Sequence, residues 1–290
     1  MWVNVFDGDI KYPREIEDLE DYDVLHVNIC GGDLGLIKDL RARLPTSTST
    51  KIVANLDYAP EEMQKTLCAF PSTYKREMEG ADHYFGTEYF TASILARMMN
   101  KNVAVVPHPV NTVELHKKRK DMKPENLINV IYHAYDDQID LPYWVVSDLG
   151  MFTGMLGLNQ TVTGRSNIVK MLYDYPFKEV DWETWIMLMG KSKIIYEPYT
   201  QHSYGRATAE AAALGIPCVG SHLVDSMRRC YPSTKCDASD IQVARKMIIR
   251  LRDDEEFYNH VSQEALKASE YYSYKNTEKL FMEMLANDKT

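Results

Sequence analysis

Ile194 to Ser221 reads IIYEPYTQHSYGRATAEAAALGIPCVGS, and its punctuation fixes the local architecture. The apolar run Ile194, Ile195, Tyr196 has strand composition and is closed by Glu197-Pro198. A polar loop, Tyr199 to Tyr204, leads to a turn at Gly205. Ala207 to Leu214 is alanine-rich and strongly helix-forming, with Arg206 in the first turn. Gly215 can take the left-handed conformation that ends a helix, and Pro217 bars its continuation. Cys218, Val219 and Gly220 then resume as a strand. The unit reads strand, loop, helix, strand, the repeating element of a doubly wound α/β sheet.

Two charges interrupt this helix. A cation at Arg206 is disfavoured by the helix dipole, by about 0.3–1 kcal/mol, unless an anion sits nearby, which hints at phosphate. Glu210, among alanines small enough to let the helix lie against a sheet, can grip ribose hydroxyls of a nucleotide. The same residues also fit a plain i, i+4 ion pair on a solvated face, worth roughly 0.2–0.5 kcal/mol. Spacing alone leaves both readings open.

The order Pro198, Ser203-Tyr204-Gly205, Glu210-Ala211, Gly215-Ile216-Pro217 and Val219 resembles the nucleotide-binding segment of group 1 (family 4-like) retaining glycosyltransferases of the GT-B fold. The resemblance implies an α/β protein of two Rossmann-like doubly wound domains facing a central cleft. It implies that Glu210 binds the donor ribose, and that Gly205 with neighbours Tyr204 and Arg206 forms the loop whose N–H groups meet the diphosphate. Where that family carries a second Glu near the donor sugar, this chain has Ser203. His202, in the same loop, can donate to a phosphate or sugar oxygen, or be simply solvated.

The 290 residues, 45% hydrophobic and 26% charged, suit a globular protein of two domains. The N-terminal MWVNVFDGD is too short and acidic for a signal peptide, and no apolar run approaches the roughly 20 residues that span a bilayer, so a cytoplasmic protein is expected. Five scattered cysteines without a Cys-x-x-Cys pair indicate free thiols rather than disulfides or zinc. Residues 1 to 110 hold 11 Lys and Arg against 17 Asp and Glu, and the whole chain carries −9, which disfavours nonspecific nucleic-acid binding. The basic run His116 to Lys120 falls in an expected linker and reads as a solvated patch.

Strand signals recur at Trp2 to Phe6, Val24 to Ile29, Lys51 to Leu56, His83 to Gly86 and Val103 to Val106, with helical periodicity at Leu34 to Leu44 and Phe90 to Met99. The turns after parallel strands are where ligands bind. Asp7-Gly8-Asp9 matches the Asp-x-Asp signature of metal-dependent GT-A enzymes, but it is also an ordinary turn. Asp57, after the third strand, stands where the GT-B family has His-Asp, with Leu56 in place of the histidine. It is a candidate for contacting the acceptor or transferred sugar, or a turn-forming Asx. Val105-Val106-Pro107-His108-Pro109-Val110-Asn111 resembles the family's interdomain hinge, giving an acceptor-side domain over 1–110 and a nucleotide-sugar domain over 111–290. Strands are expected at Leu127 to His133 and Gln160 to Thr163. Helices are expected around Leu141 to Leu149 and Ile168 to Tyr173, and at Trp182 to Met189, Ile241 to Arg252 and Glu255 into the 270s. Tyr271 to Tyr274 matches the aromatic-Ser-aromatic segment after which the family's last helices cross back to the first domain.

The family's Gly-Arg and Lys, which neutralise the diphosphate after the first strand of the second domain, are absent; only His133 and, after the next strand, Arg165 are at hand besides Arg206. The expectation is therefore a retaining, metal-independent glycosyltransferase. Its catalytic candidates are Asp57, His202 and Ser203, and its donor-binding candidates are Glu210, Arg206, Gly205, Tyr204, Arg165 and His133. It would use a nucleotide diphosphate sugar as co-substrate, no further cofactor, and an unidentified acceptor. A phage-type DNA-base glycosyltransferase and an inactive sugar-nucleotide-binding protein are the alternatives.

Overall fold

Alternation decides the first strand: Leu25, Val27 and Ile29 are buried while His26 and Asn28 occupy the intervening positions, forming β1 (Val24–Ile29) of the computed structural model. The structure describes residues 5–6, 18–29, 35–56, 75–76, 78–132, 140–157, 173–177 and 181–287. They divide into two units: Met1–Pro109 with His202–Tyr204 and Tyr274–Thr290, and Val110–Gln201 with Gly205–Ser273.

In the first unit β1 leads to α1 (Leu36–Arg43) and then to β2 (Lys51–Leu56), whose residues Ile52 to Leu56 are all buried, as a central strand requires. β3 (His83–Gly86), α2 (Tyr89–Met99) and β4 (Ala104–Val105) follow. The four strands are parallel in the order β1-β2-β3-β4, with Val24 opposite Lys51 and Val53 opposite His83. Gly86 ends β3 because a Cβ there would strike the backbone of Ala92, so its absence lets α2 start close against the strand.

The second unit opens with α3 (Thr112–Arg119), β5 (Leu127–Tyr132), α4 (Asp140–Val146), β6 (Phe152–Gly157) and β7 (Tyr175–Phe177). The expected strand at Gln160 to Thr163 lies outside the described residues; β6 comes earlier, and Gly154 in it makes room for the buried Asn129 side chain of β5. β7 contains Pro176 and is an edge strand, where a missing N–H is tolerated. Then come α5 (Trp182–Gly190), β8 (Ile194–Glu197), α6 (Arg206–Ala213), β9 (Cys218–Ser221), α7 (Asp225–Cys230), β10 (Lys235–Cys236), α8 (Ile241–Asp253) and α9 (Glu255–Ser269). All six strands are parallel in the order β10-β9-β8-β5-β6-β7. After a short 3-10 turn, Glu270–Tyr272, the final helix α10 (Tyr274–Ala286) belongs to the first unit. Its Phe281 and Met284 cover Val53, Phe85 and Val106 together with Phe6.

Phe6 corrects the expected strand at Trp2 to Phe6. Val5 and Phe6, the described part of it, are helical, and the Phe6 ring lies 4.7 Å from that of Phe281. Apolar residues at 2, 3, 5 and 6 fit a helical face as well as a strand, and tertiary packing decides. Among the described residues no helix is long and apolar enough to cross a membrane.

Candidate functional site

Strand order places the site of the second unit. From β5 the chain proceeds to β6 and β7 on one side and then returns to β8 on the other, so β5 and β8, paired from Ile128–Ile194 to Val130–Tyr196, flank the point where the order reverses. In open parallel sheets a ligand lodges outside the carboxyl ends of the strands at that reversal. The segment leaving β8 is the loop that reaches Gly205 and α6.

Gly205 is the N-cap of α6, with φ 77° and ψ 59°, and no side chain caps the helix. The conformation alone favours glycine, and packing adds to it: a Cβ would collide with Val224 and Ser226, whose Oγ donates to the Gly205 carbonyl at 2.7 Å. The first N–H groups of α6 have no acceptor within the helix, and no acidic residue lies in its first turn. At the far end Gly215, φ 66°, closes the helix with Gly215 N–H to Ala212 O at 2.9 Å and Ile216 N–H to Ala211 O at 3.0 Å, as its place before Pro217 predicted. Residues Ala207 to Ala213 are all buried, so Arg206 is the exposed residue of the helix.

Glu210 is 2% exposed. Trp182 Nε1 and Arg206 Nε both donate to its Oε1, each at 3.0 Å, and Trp185 Nε1 donates to its Oε2 at 2.9 Å. The Arg206–Glu210 pair expected from spacing is present, but not on a solvated face, since the Glu210 side chain is buried and the Arg206 side chain is 44% exposed. Nothing in the spacing of Trp182 and Trp185 announced this role; two indoles three apart on α5 read as amphipathic packing. Their helix is capped by Asp181, whose carboxylate is held below the ordinary range by the N–H and hydroxyl of Thr184. Burial pushes the Tyr196 phenol of β8 and the Cys218 thiol of β9 above their ordinary values, so both stay protonated near neutral pH.

His202, Ser203 and Tyr204 group with the first unit. The His202 ring stacks on Phe90, centroids 4.1 Å apart and planes 11° from parallel, at the start of α2. Tyr204 donates its hydroxyl to the His108 carbonyl at 2.9 Å, and Ser203 is half-buried. Phe90 and His108 are thus partners that the sequence reading did not single out. Asp57, His133 and Arg165 lie outside the described residues, as does the Asp7-Gly8-Asp9 turn. Among the described residues no three His, Cys, Asp or Glu side chains gather as metal ligands.

No protein-family model and no curated protein sequence matches the chain. Solved structures do. Sucrose-phosphate synthase from Thermosynechococcus elongatus is 14% identical, with a TM-score of 0.66 and coverage of 92% of this chain and 74% of that chain. The E. coli trehalose-6-phosphate protein bound with UDP-2-fluoro glucose is 11% identical, with a TM-score of 0.67 and coverage of 92% and 73%. The α,α-trehalose-phosphate synthase (UDP-forming) from Burkholderia xenovorans, in complex with glucose-6-phosphate, is 12% identical, with a TM-score of 0.69 and coverage of 91% and 74%. The chain has the GT-B fold. At 11–14% identity the shared property is that fold, and in this GT-B chain the glycine-started helix α6 follows the strand beside the reversal of the sheet order.

Proposed function

We propose that the chain is a retaining glycosyltransferase that takes a nucleotide diphosphate sugar at the start of α6. The observation that carries this is the glycine-started helix at Gly205, in the left-handed conformation at the sheet's switch point, with a buried carboxylate at Glu210 one turn further along α6. The GT-B fold and the UDP-sugar analogue bound to one structural neighbour support it. Membership of group 1 is part of the proposal and is supported by the motif Glu210-Ala211 with Gly215-Ile216-Pro217.

The chemistry follows from charge. Departure of a nucleoside diphosphate leaves negative charge on the β-phosphate and an oxocarbenium-like sugar. Preorganised N–H groups at a helix start stabilise the former without reorganisation, and Arg206 adds a guanidinium fork. His202 and Ser203 belong to the loop immediately before that start and are assigned to the transferred sugar, with Asp57 on the acceptor side. Same-face attack lets the leaving phosphate accept the acceptor's proton, so no strong protein base is required. The acceptor is a hydroxyl-bearing molecule to be identified, with sugar phosphates the first to try because a structural neighbour holds glucose-6-phosphate.

The test is release of nucleoside diphosphate from a panel of nucleotide sugars, with and without sugar-phosphate acceptors, and NMR of the product's anomeric centre. Acceptor-dependent release with retention is expected. Tight binding without turnover identifies a sugar-nucleotide-binding protein instead, and inversion overturns the retaining assignment.

A further inference from the structure

We propose that Arg206 couples the two halves of a bound nucleotide: a diphosphate at the start of α6 draws its guanidinium off Glu210, and the freed carboxylate then receives the ribose. This inference rests on the donor-site reading above and concerns the order of events within that site.

The hydrogen-bond inventory requires something to move. Oε1 of Glu210 already accepts from Trp182 and Arg206, whereas Oε2 accepts from Trp185. A carboxylate has about four lone-pair sites, two per oxygen, so Oε1 is full and Oε2 has one left. Two vicinal ribose hydroxyls, one to each oxygen, therefore fit only when a present donor leaves. Of the three donors, Trp185 is 4% exposed within α5, and Trp182 is half-buried with Lys118 Nζ 6.0 Å from its ring centre. Arg206 is the exposed one, with a long side chain that can reorient at little steric expense.

Position supplies the driving force. Arg206 sits in the first turn, where the helix dipole disfavours a cation, and its present partner is a single carboxylate oxygen, through Nε. A diphosphate at the same helix start offers bidentate acceptance and more negative charge. Exchange of Glu210 for phosphate is therefore favourable when phosphate is present and unfavourable when it is not. A nucleoside without phosphates must displace Arg206 with nothing to compensate it, and the nucleoside diphosphate carries its own replacement partner.

Replacing Arg206 by Leu separates the two effects. The probes are uridine with UDP, adenosine with ADP and guanosine with GDP, titrated calorimetrically against wild type, R206L and R206K, with thermal unfolding as a check of integrity. The diphosphate that binds wild type should weaken about ten-fold or more in R206L, the loss of one charge-assisted contact. The matching nucleoside should tighten about two-fold, since the pair it had to break is gone. R206K keeps a cation able to move between the same partners and should change both affinities in the direction of wild type relative to R206L. Nucleoside affinity that is unchanged or weaker in R206L, while a diphosphate binds wild type, overturns the coupling and leaves the donor site standing. Failure of every diphosphate to bind wild type overturns the donor-site reading itself.

Discussion

Replacing Glu210 by Gln changes one oxygen to an amide nitrogen and tests the indole clamp most sharply. Each carboxylate oxygen faces an indole N–H, Oε1 that of Trp182 and Oε2 that of Trp185. Gln has one acceptor oxygen, so in either orientation its NH2 group meets an N–H and two donors oppose each other. The better orientation points the oxygen at the more buried Trp185 and leaves Trp182 without an acceptor. Because Trp182 is half-buried, its unsatisfied N–H costs about 1–2 kcal/mol, the lower part of the range for a buried donor, and the remaining bond falls from charge-assisted to neutral strength, about 1 kcal/mol more. The Arg206 pair adds little, because that side chain is 44% exposed and screened. The sum is about 2–3 kcal/mol, or roughly 4–12 °C in thermal midpoint for a domain of this size class. Three of the four tryptophans, Trp144, Trp182 and Trp185, lie in the second unit, so tryptophan fluorescence mainly follows its unfolding. A second arm distinguishes the clamp from general damage. In a W185F background Gln can turn its NH2 toward the vacated indole site and its oxygen toward Trp182, so E210Q should be about 1–2 kcal/mol less destabilising there. A single mutant within about 0.5 kcal/mol of wild type, or strictly additive variants, would refute the reasoning.

Three further outcomes follow from the same geometry. Gly205→Ala forces a Cβ into Val224 and Ser226 at φ 77°, and should destabilise the second unit by about 2–5 kcal/mol in denaturant unfolding; a loss below about 1 kcal/mol contradicts the collision. Burial pushes the Cys230 thiol up to about 12, Cys236 to about 11 and Cys218 well above its ordinary value, so iodoacetamide near pH 8 should label none of the three until the protein unfolds, as peptide mass spectrometry will show. Asp181, Asp237 and Asp254 are held below the ordinary carboxylate range by bonds from Thr184, Ser239 and Phe257 respectively. Depressed folded-state values stabilise above the unfolded value and lose that stability as pH falls through the folded ones. The thermal midpoint should therefore decline on acidification below about pH 4, and a flat profile down to about pH 2.5 would contradict this.

Much of the fold was legible because its local and tertiary signals agree. β1, β2 and β3 have the bounds expected from the sequence, and Gly215 before Pro217 ends α6 in the left-handed turn its position demanded. Where signals conflict, the sequence misleads. β6 carries two glycines and β7 a proline, poor strand residues that only the neighbouring Asn129 side chain and an edge position make sensible. The helix around Leu141 to Leu149 stops at Val146, ahead of Asp148 and Gly150, both at positive φ. At the site, the Gly205 turn and the Arg206–Glu210 spacing could be read from one stretch of chain. The indole clamp joins residues 25 and 28 positions apart, and the Phe90–His202 stack joins the start of α2 to the loop after β8; such contacts carry no local signature.

The central claim is that a nucleotide diphosphate is held at the start of α6, and a crystal structure of the complex with the best-binding nucleoside diphosphate tests it most directly. The β-phosphate should lie about 3 Å from main-chain N–H groups of the first turn after Gly205, with ribose hydroxyls on Glu210 and the guanidinium of Arg206 turned to phosphate. A nucleotide bound with its phosphates away from α6, and Glu210 still closed under Arg206, would contradict the account.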